Sequence, residues 1–533
     1  MKQPFQINHK VIVSLFFIIY LCVGVTAFSD YGISSDEGSQ RVLGIEAIKY
    51  MLNVDQTLLT FEGKYHGSIV QILLVAVERI LHLENDPRSI YLMRHLLTFL
   101  MFSAGVFFFY LLCKYRFSSW KLGMLGSLFL ILSPRIFADS FYNSKDIPFL
   151  AMFIICMYTL FRYLDNATSS RAAVHAVTSA LLIDMRITGI ILPFITTLFS
   201  STDLIIGKRK KTDVKDTLMG LIVYAAVLIL FTILFWPVLW KNPLINFMNA
   251  FKEMSHYPWD NYNLYLGDQL QGGSSLPWHY ISVWLIITTP PVYVFFALIG
   301  FIVSIKSFTF NPRRYYFENR NDLVCIMCFF VPMVAVIIFH SVLYNGWRQM
   351  FFVYPPFLLL SLIGLTSTFK SIRGGFQGML NGILNTVIIC SVILGTISTM
   401  YYMGRNHPYQ NLYFNKLTGG IKGAQNRFDM DYWGLSYRKG LEYILKTDTG
   451  NSIPFATFNT GGKDNVLLLP EEQRNRLVNV GDINNASYFL TNFRGGSPIR
   501  TSMDNIYPYK KYYSVKIDGV EILVVYRTNK QNP

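Results

Sequence analysis

The run Val11–Phe28, VIVSLFFIIYLCVGVTAF, followed closely by Ser34-Ser35-Asp36-Glu37-Gly38, is the stretch on which the reading of this chain turns. The run carries no charge and approaches the roughly 20 apolar residues that cross a bilayer core. Asp36 and Glu37 therefore sit at a membrane surface, where acids do not anchor a span and are costly if drawn into hydrocarbon. Alone, such a pair reads as a solvated loop. It gains meaning if other polar clusters share its side of the membrane, and that is a question of topology.

Further apolar runs are Tyr91–Cys113, Leu122–Ala138, Ile147–Tyr163, Ala172–Ile183, Thr188–Ser200, Thr217–Trp236, Ile281–Ile305, Leu323–Val342, Met350–Phe369 and Met379–Met400. With 52% hydrophobic residues in a chain of 533, a soluble globular protein is excluded. The stretch Ala172–Ser200 is one long helix or two short ones broken at Asp184-Met185-Arg186. Two spans put Lys114/Arg116/Lys121, Arg162/Arg171, Lys208–Lys211, Arg313/Arg314 and Lys370/Arg373 all on the side of the N-terminus, the positive-inside pattern. One span would translocate the Lys208–Lys211 cluster, so two are chosen.

The expected fold class is mostly α: a polytopic membrane helix bundle of about eleven spans with a small C-terminal α/β domain on the outer face. The N-terminus is expected in the cytoplasm and the C-terminus outside. Residues 1–401 form the membrane domain and 402–533 the extracytoplasmic one. The first outer loop, 29–90, holds amphipathic helices at Arg41–Leu52 and Ser68–Leu83. The other outer segments are Asp139–Asp146, the Asp184–Arg186 turn, Lys241–His279 and Tyr344–Arg348. Beyond Tyr402, Ser436–Lys446 reads as a helix, Ile453–Phe458 and Ala486–Asn492 as strands. Ser514–Ile517 and Val520–Tyr526 flank the hairpin signal Asp518-Gly519.

The net charge of +15 is explained by loop charges that orient the spans, with no basic-aromatic module that would imply a nucleic-acid partner. The six cysteines lie in or beside apolar runs, and Cys325/Cys328 lack companions at zinc-site spacing. The first run is long for a signal-peptide core and reads as an uncleaved first helix.

On this topology the polar clusters converge on the outer surface. Asp36 and Glu37 are joined there by Tyr65-His66-Gly67, Asn143-Ser144-Lys145-Asp146, Arg186 and Tyr344-Asn345-Gly346-Trp347-Arg348-Gln349. Carboxylates among several cations at the lipid–water boundary suit a negatively charged lipid head group and a reacting hydroxyl. The cations hold phosphate, and a carboxylate acts as general base. Each residue also has a plainer role open to it. Arg348 could snorkel as an interfacial anchor, Arg186 could pair with Asp184, Lys145 could neutralise Asp146, and His66 could be an interfacial hydrogen-bonding histidine.

Four motifs in this order carry a resemblance: Ser35-Asp36-Glu37, Asn143-Ser144-Lys145-Asp146-Ile147-Pro148, Leu276-Pro277-Trp278-His279-Tyr280 with Pro290-Pro291, and Tyr344–Gln349. Over roughly Val11–Phe369 the chain resembles the GT-C integral-membrane glycosyltransferases of the protein O-mannosyltransferase and aminoarabinose-transferase type (glycosyltransferase family 39). The resemblance implies a polyprenyl-phosphate-linked sugar as donor and transfer to an acceptor hydroxyl, on a protein or glycolipid, at the outer face of a prokaryotic plasma membrane. It places the catalytic acid at Asp36, with Asp146 also lining the site. Glu37 would orient the base or bind acceptor; Lys145, Arg186, Arg348, His66 and Tyr344 would bind substrate. No cofactor is implied; a carboxylate pair could hold a divalent metal, but nothing in the spacing requires one. The large insert that the family's protein mannosyltransferases carry between late spans is missing, since Arg313–Asp322 is short. A transporter or flippase of a lipid-linked or anionic substrate is the competing reading. It fits less well, because polar residues gather at one surface and no halves repeat.

Overall fold

A computed structural model describes residues 8–206, 214–255, 257, 259, 261–271, 276–494 and 509–528. The expected Lys208–Lys211 cluster lies outside them. The helices in chain order are α1 (His9–Ala27), α2 (Glu37–Met51), α3 (Ile69–Ile80), α4 (Pro87–Phe117), α5 (Trp120–Ile131), α6 (Pro134–Tyr142), α7 (Asp146–Asp165) and α8 (Ser169–Met185). They continue with α9 (Ile191–Ile206), α10 (Val214–Phe235), α11 (Pro243–Ser255), α12 (Tyr280–Ile287), α13 (Pro291–Phe310), α14 (Pro312–Ile338), α15 (Tyr354–Gly375) and α16 (Gly378–Arg405). Among the described residues nine helical segments are long and apolar enough to cross a membrane, and the bent pair α5–α6 makes a tenth. Helix α8 has 17 residues and falls just short of that length, yet it packs between α7 and α10. The protein is a multi-pass membrane helix bundle. The break at Asp184–Arg186 is real: α8 ends at Met185, and a short 3₁₀ turn leads into α9.

Without a hydrophobic drive between helices in lipid, close packing depends on small residues that let backbones meet. Gly300 on α13 and Gly364 on α15 do this: a Cβ on either would lie 1.9 Å from a carbonyl oxygen of the other helix. Gly105 on α4 packs likewise on α7, where a Cβ added to it would lie 2.7 Å from the Ala151 Cβ.

Five expectations need correction. The run Leu122–Ala138 is not one straight span, because Ser133-Pro134 breaks it and α6 turns away by 70°. All of α6 is buried, so Asp139 sits in a buried helix and the loop is only Asn143–Lys145. Ile281–Ile305 is also broken, at Thr288-Thr289-Pro290, and Arg313–Asp322 belongs to α14 rather than to a loop. Finally, the Asp36-Glu37 pair is not loop: it opens α2, where unpaired N–H groups and the helix dipole favour negative charge.

The segment Lys241–His279 contains α11 and a hairpin of β1 (Tyr262–Tyr265) and β2 (Asp268–Gln271), which alternation alone did not reveal. After α16 come the short α17 (Gly420–Ala424), then α18 (Tyr437–Thr447), β3 (Ile453–Thr457), α19 (Thr460–Asn465), α20 (Glu471–Arg474), β4 (Leu477–Asn479), β5 (Tyr488–Thr491), β6 (Tyr509–Ile517) and β7 (Val520–Thr528). These strands form one sheet ordered β4-β3-β5-β7-β6, parallel around β3 and antiparallel from β5 onward. Asp518 and Gly519 take positive φ between β6 and β7, as the two-residue turn demands. Leu441 and Ile444 of α18 bury against Leu523 and Val525 of the sheet. This α/β region lies against the end of the bundle that carries residues 29–37, 143–146 and 344–349.

Candidate active site

The site begins with the turn that starts α2. Ser34 N–H donates to Glu37 Oε2 at 2.8 Å, and Ser34 Oγ donates to the Tyr142 carbonyl at 2.9 Å. Glu37 is thereby turned inward: it is 1% exposed and its carboxylate lies 3.2 Å from His95 Nε2. Asp36, at the helix N-cap, points the other way, and its side chain keeps 31% exposure. The two adjacent acids therefore do different things, one closing the turn and one presented to the site.

Asp36 meets Arg348, whose Nη2 lies 3.0 Å from Asp36 Oδ2 and whose Nη1 donates to Asp146 Oδ2 at 2.9 Å. Arg348 opens a 3₁₀ turn before α15 and is fully buried. Its guanidinium lies over the rings of Trp433 (4.6 Å) and Tyr344 (5.0 Å), so both its edge and its faces are fixed. Asp146, first residue of α7, is shared with Arg186, whose Nη2 is 2.6 Å from Asp146 Oδ1. Arg186 also donates to the Gln349 carbonyl at 3.0 Å. The plainer pairing of Arg186 with Asp184 is not formed; Asp184 instead accepts the Ile69 N–H at 3.1 Å. Asn143 holds Asp146 from behind, donating to its Oδ2 at 3.1 Å and to Asp139 Oδ2 at 3.0 Å.

Beside this chain of charges lies a cavity of about 210 Å³. One part of its wall is polar: His66, Lys145, Arg186, Tyr344 and Gln349. The rest is mostly apolar, built by Ile187, Ile190 and Ile191, Phe251 and Met254 of α11, and Pro332, Ala335, Val336 and Phe339 near the end of α14. Burial, and then the Arg186 charge, pull the Lys145 ammonium down to about 7, against the opposing pull of Asp36 and Asp146. Burial, followed by Lys145, Arg186 and Arg348, pushes His66 well below the usual imidazole range, so that ring is neutral. A cavity with cations at one end and hydrocarbon walls at the other suits an amphiphile with an anionic head.

No family model matches the chain, and no curated protein matches it. Among the solved structures similar to it are the following three. ArnT from Cupriavidus metallidurans in the apo state has 12% identity and a TM-score of 0.46, over 97% of this chain and 98% of that one. The archaeal oligosaccharyltransferase AglB from Archaeoglobus fulgidus, in complex with an inhibitory peptide and a dolichol-phosphate, has 9% identity and a TM-score of 0.48, over 98% and 75%. The Archaeoglobus fulgidus oligosaccharyltransferase in the apo form has 10% identity and a TM-score of 0.49, over 98% and 74%. Nearly the whole chain is spanned each time.

The sequence pointed to eight site residues, and seven of them gather here: Asp36, Asp146, Arg186 and Arg348 in direct contact, with Lys145, His66 and Tyr344 on the cavity wall. Glu37 is the one turned away. Sequence reasoning passed over the layer behind them. Buried Arg94 donates to Gln71 Oε1 at 2.6 Å, and Gln71 donates to the Ser144 carbonyl at 2.9 Å, next to Lys145. The signal was present, since Arg94-His95 interrupts an apolar run and polar residues inside a span are costly unless partnered. Among the described residues no three His, Cys, Asp or Glu side chains converge as a metal site. The acids Asp429 and Asp431 serve the fold: Asp429 accepts the Leu264 N–H at 3.0 Å and Asp431 accepts the Ser436 N–H at 3.0 Å.

Proposed function

We propose that the protein is a glycosyltransferase that moves a sugar from a polyprenyl-phosphate donor to an acceptor hydroxyl on a protein or glycolipid, at the extracytoplasmic face of a prokaryotic plasma membrane. The observation that carries this reading is the pairing of a cation-headed apolar cavity with a partly exposed carboxylate, Asp36, joined to the cavity's Arg186 through Arg348 and Asp146. The orientation, N-terminus in the cytoplasm and C-terminal region outside, rests on the charge bias of the loops. In the reaction the acceptor oxygen forms a bond to the anomeric carbon as the bond from that carbon to the phosphate oxygen breaks. The phosphate leaves with the bonding pair and needs no general acid, because it is already the anion of a strong acid. Lys145 and Arg186, on the cavity wall, face the charge it gains. The acceptor proton goes to a carboxylate oxygen of Asp36, the one acid of the cluster that retains solvent access. Asp146, buried between two guanidinium groups, is the spacer that keeps those cations apart and aimed.

The test is binding of polyprenyl monophosphate to the purified protein, compared with the same polyprenol lacking phosphate. The phosphate should improve affinity by at least about a hundredfold, as two or more charge-assisted contacts would give. Equal affinity for the two lipids would remove the phosphate-holding role of the cations.

A further inference from the structure

Asp36 hangs from a strap, residues 28–35 between α1 and α2, that has no helix or strand of its own. Main-chain polar groups along such a strap need partners, and here the C-terminal α/β region supplies them. Arg438 Nη1 donates to the carbonyls of Ser29 (2.6 Å) and Tyr31 (2.9 Å). Ser35 N–H donates to the Trp433 carbonyl at 3.2 Å, and the Trp433 ring is the one that covers Arg348. Between these contacts Asn465, the last residue of α19, grips Ile33 on both sides. Its Oδ1 accepts the Ile33 N–H at 3.0 Å, and its Nδ2 donates to the Ile33 carbonyl at 3.1 Å.

The same Nδ2 reaches the carbonyls of Gly461 (2.7 Å) and Gly434 (3.1 Å), the second of which adjoins Trp433. Asn465 is fully buried, and the fit is close: a Cβ on Gly32 would lie 2.5 Å from its Oδ1 and 2.7 Å from the Leu435 carbonyl oxygen. One amide therefore ties three segments together: the strap that presents Asp36, the segment that presents Trp433 to Arg348, and α19. Only Asn or Gln offers an acceptor and two donors on one neutral planar group, and the shorter side chain fits this space.

We propose that Asn465 is a positioning residue for Asp36, and that the C-terminal α/β region serves the reaction by fixing where that carboxylate stands against Arg348. The proposal rests on the reading of Asp36 as the base. It predicts an effect on turnover and not on the donor, since the cavity walls come from other segments.

The experiment compares full-length wild type, Asn465→Ala, Asp36→Asn and the double variant, each purified and assayed for sugar transfer and for affinity toward polyprenyl monophosphate. Asn465→Ala should lower kcat about 10- to 100-fold, the loss expected when a reacting group is misplaced by an ångström or so. Affinity for the lipid phosphate should stay within about twofold of wild type. In the Asp36→Asn background the same change should cost little more, because two residues that act through one group are not additive. Asn465→Asp, which keeps the acceptor for Ile33 N–H and the volume but sets a carboxylate against three carbonyl oxygens, should behave alike. It carries the test if the alanine variant folds poorly.

Wild-type kcat in both variants would overturn the proposal, as would a loss in kcat matched by lost lipid affinity or fully additive with Asp36→Asn. Full transfer by Asp36→Asn alone would instead overturn the reading of the base, so the two failures are told apart.

Discussion

Asp36→Asn is the sharpest perturbation of this site, because it keeps the shape of the side chain and removes only the basic oxygen. A general base contributes roughly 10²–10⁴-fold, equivalent to about 2.7–5.5 kcal/mol in the barrier, so kcat should fall within that range. Stability should change little. The Asp36 side chain is 31% exposed, and a partly screened pair of this kind contributes up to about 1 kcal/mol. Arg348 is not orphaned by the change, because Asp146 remains 2.9 Å from its Nη1. With one negative charge removed beside the cations, affinity for polyprenyl monophosphate should rise by up to about fivefold, the equivalent of that same ~1 kcal/mol. The assays are single-turnover sugar transfer, lipid-phosphate binding and thermal unfolding on one preparation. Near-normal transfer would remove Asp36 as the base. Lost lipid binding with a large fall in thermal stability would make it structural.

Asp146→Asn should behave differently, because its buried carboxylate is 2.6 Å from Arg186 and 2.9 Å from Arg348. Removing it leaves two cations poorly compensated and should cost about 3–5 kcal/mol of stability; an unchanged unfolding midpoint would contradict this. Lys145 should give donor binding a pH dependence. Its ammonium is pulled down to about 7 by burial and then by Arg186, so the cation is held below that pH and lost as pH rises through it. The second ionisation of the lipid phosphate, near pH 6, is common to both proteins, so affinity for polyprenyl monophosphate should weaken from about pH 7 to about pH 9 in wild type relative to Lys145→Arg, which keeps its charge throughout. Identical profiles would refute the assignment. Gly364→Val places methyl groups where even a Cβ meets the Phe296 carbonyl oxygen at 1.9 Å. It should separate α13 from α15 at a cost of about 3 kcal/mol or more, read as lost folded yield; normal yield would mean the helices part freely.

The span pattern was legible because apolar length is a direct consequence of bilayer thickness, and the hairpin at Asp518-Gly519 because its φ values demand those residues. The breaks were harder to see. Pro134 and Pro290 stand in runs whose average hydropathy stays high, even with Arg135 beside the first, and a window average carries no information about a missing N–H. The site followed the same division. Asp36, Lys145, Asp146, Arg186, Arg348 and Tyr344 each stand beside a span end, so a topological argument brings them to one surface.

Asn465 and Trp433 lie hundreds of residues from Asp36 in the sequence, in a segment without periodicity, and only tertiary contact shows what they touch. Glu37 shows the converse limit. It is adjacent to Asp36 and chemically equivalent in sequence. The turn at Ser34 sends it to His95.

The central claim is that a bond between sugar and phosphate breaks in this site. The direct measurement uses wild type and Asp36→Asn in lipid nanodiscs, supplied with polyprenyl-phosphate donor labelled in the sugar and with an envelope extract as acceptor. Label recovered on acceptor and free polyprenyl phosphate are counted together. The account predicts that both appear in equal amounts with wild type and fall at least about a hundredfold with Asp36→Asn. Donor that binds tightly and is recovered intact under every condition would contradict it, and would leave a carrier of lipid-linked sugar in place of a transferase.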